Sequence, residues 1–309
     1  MPDLEIKYLD SNGSEKSRVL EGVDASGGIG APEDFKVLPV VYVASSHSIE
    51  YAVRSVYTLF KYRSPGHRIE AFLYVPDPEN LKASTIMEFK FINSRFDGCH
   101  LTTVGFPSTY MGDMEALNNH RDGNKYNWIW NCTFPFFSRF FPELPWVLYL
   151  DADTVVIDDL KDRLKGYSDD IPLVSGVKNA HMDMLNSGVM LVNLDKHRGM
   201  DCYHAFIDSY MSGSNPWGDQ ECIQRLYADE LARKPLPRSM NVCSFEEHEW
   251  DLSDIAIIHF YGGKKMFDDP NFVHKSVTSK RVCYESGVFE FEFNRFSDSV
   301  NYNRMLELD

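Results

Sequence analysis

The chain has 309 residues, 43% of them hydrophobic and 25% charged, enough for one large globular domain or two modest ones. Its formal net charge of −15 argues against the basic face that a nucleic-acid binder needs. No apolar run reaches the roughly 20 residues that span a bilayer, and the opening stretch "MPDLEIKYLDSNGSEK" lacks the basic-then-apolar pattern of a signal peptide.

In chain order, residues 1–35 are polar and include the Gly-rich "DASGGIGAPED", a poor core former expected to be a flexible tail. Its Gly-Gly-Ile-Gly run lacks the Lys-Ser/Thr of a phosphate loop. "VLPVVYVASS" from Val37 is β-branched and predicts a buried strand. "SIEYAVRSVYTLFKYR" repeats apolar residues at Ala52, Val53, Val56, Leu59 and Phe60, the spacing of an amphipathic helix, with Ser48 as its expected N-cap. "RIEAFLYVP" is the next strand, 79–95 the next helix and "HLTTVGF" a third strand, which together predict a parallel sheet with helices on its faces. Residues 107–127 read as a surface loop, and "WNCTFPFFSRFFPEL" as an aromatic helix interrupted near Pro135. "WVLYL", "IPLVSGV" and "NSGVMLVNL" are further strands, 199–212 and 218–231 are helices, and "SMNVCSF" and "DIAIIHFYGG" are late strands. The last ~40 residues, rich in Phe and charge, have no clear pattern. Trp128, Trp130 and the Phe-rich segment after Val288 suit a core or a homodimer surface better than stacking on a ligand. The six cysteines (Cys99, Cys132, Cys202, Cys222, Cys243, Cys283) are scattered with no Cys-x-x-Cys pair, so they are expected to be free thiols in a reducing compartment, and the protein to be cytoplasmic.

One stretch stands apart. "VLYLDADTVVI" (147–157) places Asp151 and Asp153 at the end of what reads as a buried strand. In an open parallel sheet, ligands bind beyond the carboxyl ends of the strands. In extended backbone, residues i and i+2 share a face, and two carboxylates there repel each other unless a hard divalent cation joins them. The plain alternative is a turn with two solvated aspartates.

"VLYLDADTVVIDDL" resembles the metal-binding core of nucleotide-sugar glycosyltransferases of the GT-A fold, and within them family 8, the retaining group that includes glycogenin and bacterial galactosyltransferases. "LNSGVMLVNL" (185–194), "WGDQECI" (217–223) and "HFYGGKKMF" (259–267) resemble that family's Asn-Ser-Gly strand, Asp-Gln segment and His-x-x-Gly-x-x-Lys-Pro-Trp motif, in family order. The resemblance covers roughly residues 37–270 and implies an α/β fold, a single Rossmann-like GT-A domain with a mostly parallel mixed sheet. It assigns 36–270 to the catalytic domain and leaves 271–309 as a C-terminal extension packed on or near it.

By that resemblance Asp151, Asp153 and His259 would ligate Mn²⁺ (or Mg²⁺), with Asp151 also near the ribose. Gly262 would let backbone approach a diphosphate, and Lys265 would neutralise it. Asn186 would hydrogen-bond the donor sugar, Asp219 and Gln220 would line its other side with Gln220 nearest the anomeric carbon, and Arg139 would hold the donor and brace the metal. Two departures stand out: Met266-Phe267 replaces Pro-Trp, and Ala44, Ser45 and Ser46 occupy positions where acidic residues commonly read uracil. The implied activity moves a hexose or other sugar from a nucleoside-diphosphate sugar, a UDP-sugar above others, to a hydroxyl on a glycan or protein. Gln220 is a poor nucleophile, so retention is expected through front-face attack, with Asp219 as the fallback nucleophile. A non-catalytic sugar-nucleotide or glycan-binding protein is the alternative. A phosphatase would need a nucleophilic Asp after the first strand and a dinucleotide enzyme a Gly-x-Gly-x-x-Gly there; "VYVASSHS" has neither.

Overall fold

A computed structural model describes residues 3–24, 29–32, 35–120, 132–167, 170–178, 184–213, 218–243, 250–260 and 277–306. The first of these correct the expectation of a flexible tail over 1–35. Strands β1 (Asp3–Leu9) and β2 (Glu15–Asp24) form an antiparallel hairpin. Leu4 and Ile6 alternate with exposed neighbours, and with Leu20 and Val23 they join the main core. That period-of-two pattern is the strand signal that the surrounding polar residues hid. Further on, Ile29 is buried and the indole Nε1–H of Trp146 donates to the Gly30 carbonyl (2.8 Å), tying the Gly-rich stretch to the central sheet.

The chain then alternates as expected: β3 (Val37–Val43), α1 (Ile49–Lys61), β4 (Arg68–Val75), α2 (Ala83–Arg95) and β5 (Cys99–Gly105). Helix α1 buries the predicted face, but Ser48 does not cap it with its side chain; the Ser48 Oγ instead accepts from the Ser45 N–H (2.9 Å). The expected loop over 107–127 contains α3 (Met111–His120), which buries Met114 and Leu117 at helical spacing. After a 3₁₀ turn over Phe134–Phe136, α4 (Phe137–Phe140) packs its rings beneath the sheet.

Strands β6 (Trp146–Leu150) and β7 (Thr154–Val156) follow, then α5 (Leu160–Arg163), β8 (Val174–Lys178) and β9 (Leu185–Asn193). The six-stranded sheet has the order β5-β4-β3-β6-β9-β8. β3 pairs parallel with β4 and β6, and β4 parallel with β5, whereas β9 runs antiparallel to both β6 and β8. All residues of β3, β6 and β9 are buried, as strands covered on both faces require. The reversal of β9 matters for function: its first residues lie beside the carboxyl end of β6, with Val189 opposite Leu150.

Helices α6 (Leu194–Gly199), α7 (Cys202–Ser212) and α8 (Asp219–Arg233) lead to β10 (Val242–Cys243) and β11 (Ile257–His259). These two strands and β7 make a second, three-stranded sheet, in which β7 and β11 are antiparallel and His259 lies opposite Thr154. A small second core of Val155, Ile157, Val242, Ile255, Ile258 and Phe260 holds it. The unpatterned C-terminal residues form one long helix, α9 (Val277–Leu306). Phe289 docks it by ring contacts to Tyr57 (5.2 Å) and Phe91 (5.9 Å), burial worth roughly 1.5–3 kcal/mol. Buried Glu285 accepts from Lys61 Nζ and the Tyr62 hydroxyl, each at 2.6 Å. Cys99, Cys132, Cys202, Cys222 and Cys243 are free, buried thiols. Among the described residues, no helix is long and apolar enough to cross a membrane.

One core residue makes stability pH-dependent. His197 on α6 is fully buried, with Nε2 3.1 Å from the Phe134 carbonyl and Nδ1 2.8 Å from Ser138 Oγ. The carbonyl only accepts, so Nε2 carries the proton and Nδ1 accepts from the serine in a neutral ring. Burial pulls its pKa down to about 4. The unfolded chain protonates near pH 6.5, so stability is complete above that pH and is lost as pH falls through about 4, by about 3 kcal/mol in all. Urea midpoints of the wild-type protein should drop across that window, and those of His197→Gln should drop less steeply. Equal slopes would place the acid sensitivity elsewhere.

Candidate metal centre and donor site

Strand β6 is a run of five buried residues, flanked by β3 and β9, that delivers Asp151 at its carboxyl end. The chain does not continue extended there. Both the N–H (3.2 Å) and the Oγ1 (2.9 Å) of Thr154 donate to the Asp151 carbonyl, closing a turn. The two carboxylates therefore converge through a turn, not through the shared face of an extended strand. Beyond it, β7 pairs with β11, and the Phe260 N–H donates to the Asp153 carbonyl (2.9 Å), which fixes the end of β11 against the turn.

This arrangement brings His259 to the two aspartates across more than 100 residues of chain. Its Nε2 is 3.4 Å from Asp151 Oδ2 and 3.3 Å from Asp153 Oδ1, and one ligand atom from each of the three residues lies within 4.8 Å of the others. The imidazole is 1% exposed, while the side chains of Asp153 and Asp151 are 11% and 33% exposed, so the cluster opens to solvent on the Asp151 side. Burial alone would lower the imidazole pKa, but the two carboxylates outweigh it and raise it to about 9. The pair thus draws a cation to this point.

The donor set suits a divalent metal. Two hard carboxylate oxygens and one imidazole nitrogen make a three-ligand site that leaves positions for other oxygen ligands. The backbone is shaped to it as well. At Gly188 a Cβ would lie 2.1 Å from His259 Cε1, 2.6 Å from its Nδ1 and 2.9 Å from Asp151 Oδ2, so only glycine admits the imidazole. Gly188 is locked in place, with its carbonyl accepting from the Asp151 N–H (2.8 Å) and its N–H donating to Asn186 Oδ1 (3.0 Å).

Other predicted residues gather around this point. Asn186 is buried at the start of β9. Asp219 is the first residue of α8, and Gly218 (φ 70°) is its N-cap. Burial and then the charge of Asp151 raise the Asp219 carboxyl to about 7, against hydrogen bonds from Ser187 and the helix backbone. Gln220 Oε1 accepts from the Ser187 N–H (3.2 Å). Asn186, Asp219 and Gln220 therefore meet at one corner, where β9 begins and α8 begins. Ala44 and Ser46 follow β3, the strand next to β6. The Ala44 N–H is engaged with the Tyr74 carbonyl (2.9 Å), and Ser46 is exposed with its Oγ 3.3 Å from His47 Nδ1. Arg139 is exposed on α4, and its guanidinium lies over the ring of Tyr203 (5.1 Å), not against the acidic cluster. Gly262 and Lys265, like Trp128 and Trp130, lie outside the described residues.

Four participants were not singled out from the sequence. The Tyr149 hydroxyl donates to Asp151 Oδ1 (2.6 Å). Burial, followed by the Asp151 charge, pushes that phenol well above its usual pKa, so it remains a donor. Its position two residues before Asp151 was the available signal. Ser187 and Gly188 sit inside the Asn-Ser-Gly motif itself. Asn241, hydrogen-bonded to both His259 and Asn186, carries no local signal at all.

No family model matches the chain, and no curated protein matches it in sequence. Solved structures do resemble it. A structure of galactosyltransferase LgtC in complex with donor and acceptor sugar analogues aligns over 81% of this chain and 96% of its own, with TM-score 0.61 and 16% identity. The chain has the fold of GT-A glycosyltransferases. Glycosyltransferase GlyE of Streptococcus pneumoniae shares that fold over 85% of this chain and 64% of its own (TM-score 0.61, 19% identity). Mouse xyloside xylosyltransferase 1 does so over 72% and 97% (TM-score 0.52, 11% identity).

Proposed function

We propose that this protein is a metal-dependent retaining glycosyltransferase of the family 8 type, with residues 36–270 as its catalytic unit, that moves a sugar from a nucleoside-diphosphate donor, a UDP-sugar first among candidates, to a hydroxyl on a glycan or protein. The observation that carries this reading is the Asp151–Asp153–His259 cluster at the carboxyl end of β6 in a GT-A fold. Bound there, Mn²⁺ or Mg²⁺ supplies positive charge where the leaving diphosphate gains negative charge.

The remaining work falls to the chain's own groups. Asn186, Asp219 and Gln220 surround the space beside the cluster and are suited to hold the sugar by its hydroxyls. Gln220 is neutral and a poor nucleophile. One of the LgtC structures is of an active-site mutant in which a glutamine is replaced by glutamate, so a glutamine belongs to that enzyme's active site. We read Gln220 as the group beside the anomeric carbon and infer front-face attack. The bond from that carbon to the phosphate oxygen breaks, the bond to the acceptor oxygen forms on the same face, and the acceptor proton passes to the departing phosphate. Asp219, buried and hydrogen-bonded by Ser187 and the first turn of α8, is assigned a contact to a sugar hydroxyl. Lys265 is assigned to the diphosphate and the backbone near Ala44 and Ser46 to the base; Arg139, which lies over Tyr203, would have to swing away from that ring to hold the donor.

The protein incubated with UDP-sugars and Mn²⁺ should release UDP, slowly with water and faster with an acceptor, and chelator should stop it. The product should keep the donor's anomeric configuration. Inversion would remove the retaining mechanism. Tight donor binding with no UDP release from any sugar would make the protein a binding module on this fold.

A further inference from the structure

On the side away from the carboxylates, His259 is held by a hydrogen-bond chain whose polarity is traceable atom by atom. The chain begins at the Gly188 N–H, which can only donate, and donates to Asn186 Oδ1 at 3.0 Å. That fixes which end of the Asn186 amide is oxygen. The same oxygen is 2.9 Å from the amide of Asn241, so the Asn241 atom facing it is the NH₂ donor. The other end of Asn241 is then its oxygen, and it lies 3.0 Å from His259 Nδ1. An oxygen without a hydrogen accepts only, so Nδ1 carries the proton. A neutral ring held this way has its lone pair on Nε2, the atom that faces Asp151 and Asp153. Asn186, Asn241 and His259 are all buried, so a reversed amide would set like atoms against each other at a cost that solvent exposure does not relieve.

We propose that Asn241 is a positioning residue that sets the tautomer and ring orientation of His259 for metal ligation, with Asn186 as its anchor. The inference rests on the metal-centre reading above. It also gives Asn186 a second duty, because its side-chain oxygen is already engaged twice, by Gly188 and Asn241. Only its NH₂ end remains for the sugar, so Asn186 contacts a donor hydroxyl as a hydrogen-bond donor. Through the two amides, that sugar contact and the metal ligand share one rigid unit.

Three readouts test this in the full-length protein. Mn²⁺ affinity, read from free Mn²⁺ by electron paramagnetic resonance, should fall by roughly 10- to 100-fold in Asn241→Leu, the usual scale for losing a residue that orients a metal-bound histidine. Asn186→Leu, which removes the anchor and leaves Asn241 present, should lose affinity in the same direction. The ¹⁵N spectrum of the Mg²⁺-loaded wild type, with His259 assigned from His259→Gln, should show the ring proton on Nδ1. A crystal structure of metal-free Asn241→Leu should show the imidazole turned from the aspartates. Wild-type Mn²⁺ affinity in Asn241→Leu, a proton on Nε2, or an unmoved ring would each overturn the proposal. Failure of the wild type to bind Mn²⁺ would instead overturn the metal reading, and the ring orientation in the metal-free variant would still decide the role of Asn241. If both leucine variants fail to fold, the wild-type ¹⁵N spectrum decides it.

Discussion

Asp153→Asn should leave a folded protein that no longer uses a metal. The substitution keeps the size and shape of a side chain that is 11% exposed, so packing changes little. It removes one of the two negative charges that draw a cation to the end of β6. The raised pKa of His259 depends on both carboxylates, so the variant's imidazole should titrate lower as well. Mn²⁺ binding should weaken sharply, and UDP release at fixed Mn²⁺ should drop on the order of 10²–10³-fold, the scale of losing a preorganised electrostatic partner of the leaving group. Thermal stability should change little, because relief of the repulsion between the two carboxylates offsets the weaker pairing with His259. Donor turnover and melting temperature measured together decide the matter: full activity at any Mn²⁺ concentration, or a large loss of stability, would show that Asp153 is a structural acid.

Gly188→Ala should damage the same centre from behind. A methyl group there would lie 2.1 Å from His259 Cε1, and something must shift. The strand is the less yielding partner, since Gly188 is bonded at both its carbonyl and its N–H within β9 and the turn. The imidazole should give way, taking the third ligand with it, and Mn²⁺ affinity and UDP release should both collapse by on the order of 10²-fold or more. Overpacking should cost about 1–3 kcal/mol of stability in urea. Gly199→Ala is the control, because a Cβ at that end of α6 meets nothing within 4 Å. Wild-type Mn²⁺ affinity in Gly188→Ala would mean that the histidine is not a ligand.

Much of this centre was legible in the sequence, for a physical reason. A buried apolar strand with two acids at its tip is costly without a cation, so "LYLDAD" marks a candidate site, while His259 was reached only through the family resemblance. The core helices and strands were equally plain, because α1 and β3 to β5 carry their periodicity openly. The geometry that joins Asp151 to Asp153 was not legible: the sequence suggested extended backbone, whereas Thr154 closes a turn with two bonds to the Asp151 carbonyl. The N-terminal hairpin was hidden because Leu4, Ile6 and Leu20 lie singly among polar residues, and only pairing reveals their common face. Helix α9 was hidden because its aromatic residues divide between a docked side at Phe289 and exposed positions such as Phe291, which blurs the period. Asn241 was beyond reach in principle. An asparagine becomes legible as a partner of His259 only when β10 and β11 lie side by side, and no local pattern encodes that pairing.

Anomalous diffraction at the manganese edge, from crystals grown with Mn²⁺ and UDP, tests the central claim most directly. A single strong peak within bonding distance of Asp151, Asp153 and His259 Nε2, with diphosphate oxygens completing its coordination, is the result expected. A diphosphate bound without a peak there, or manganese bound elsewhere with the imidazole still bridging the two carboxylates, would contradict it.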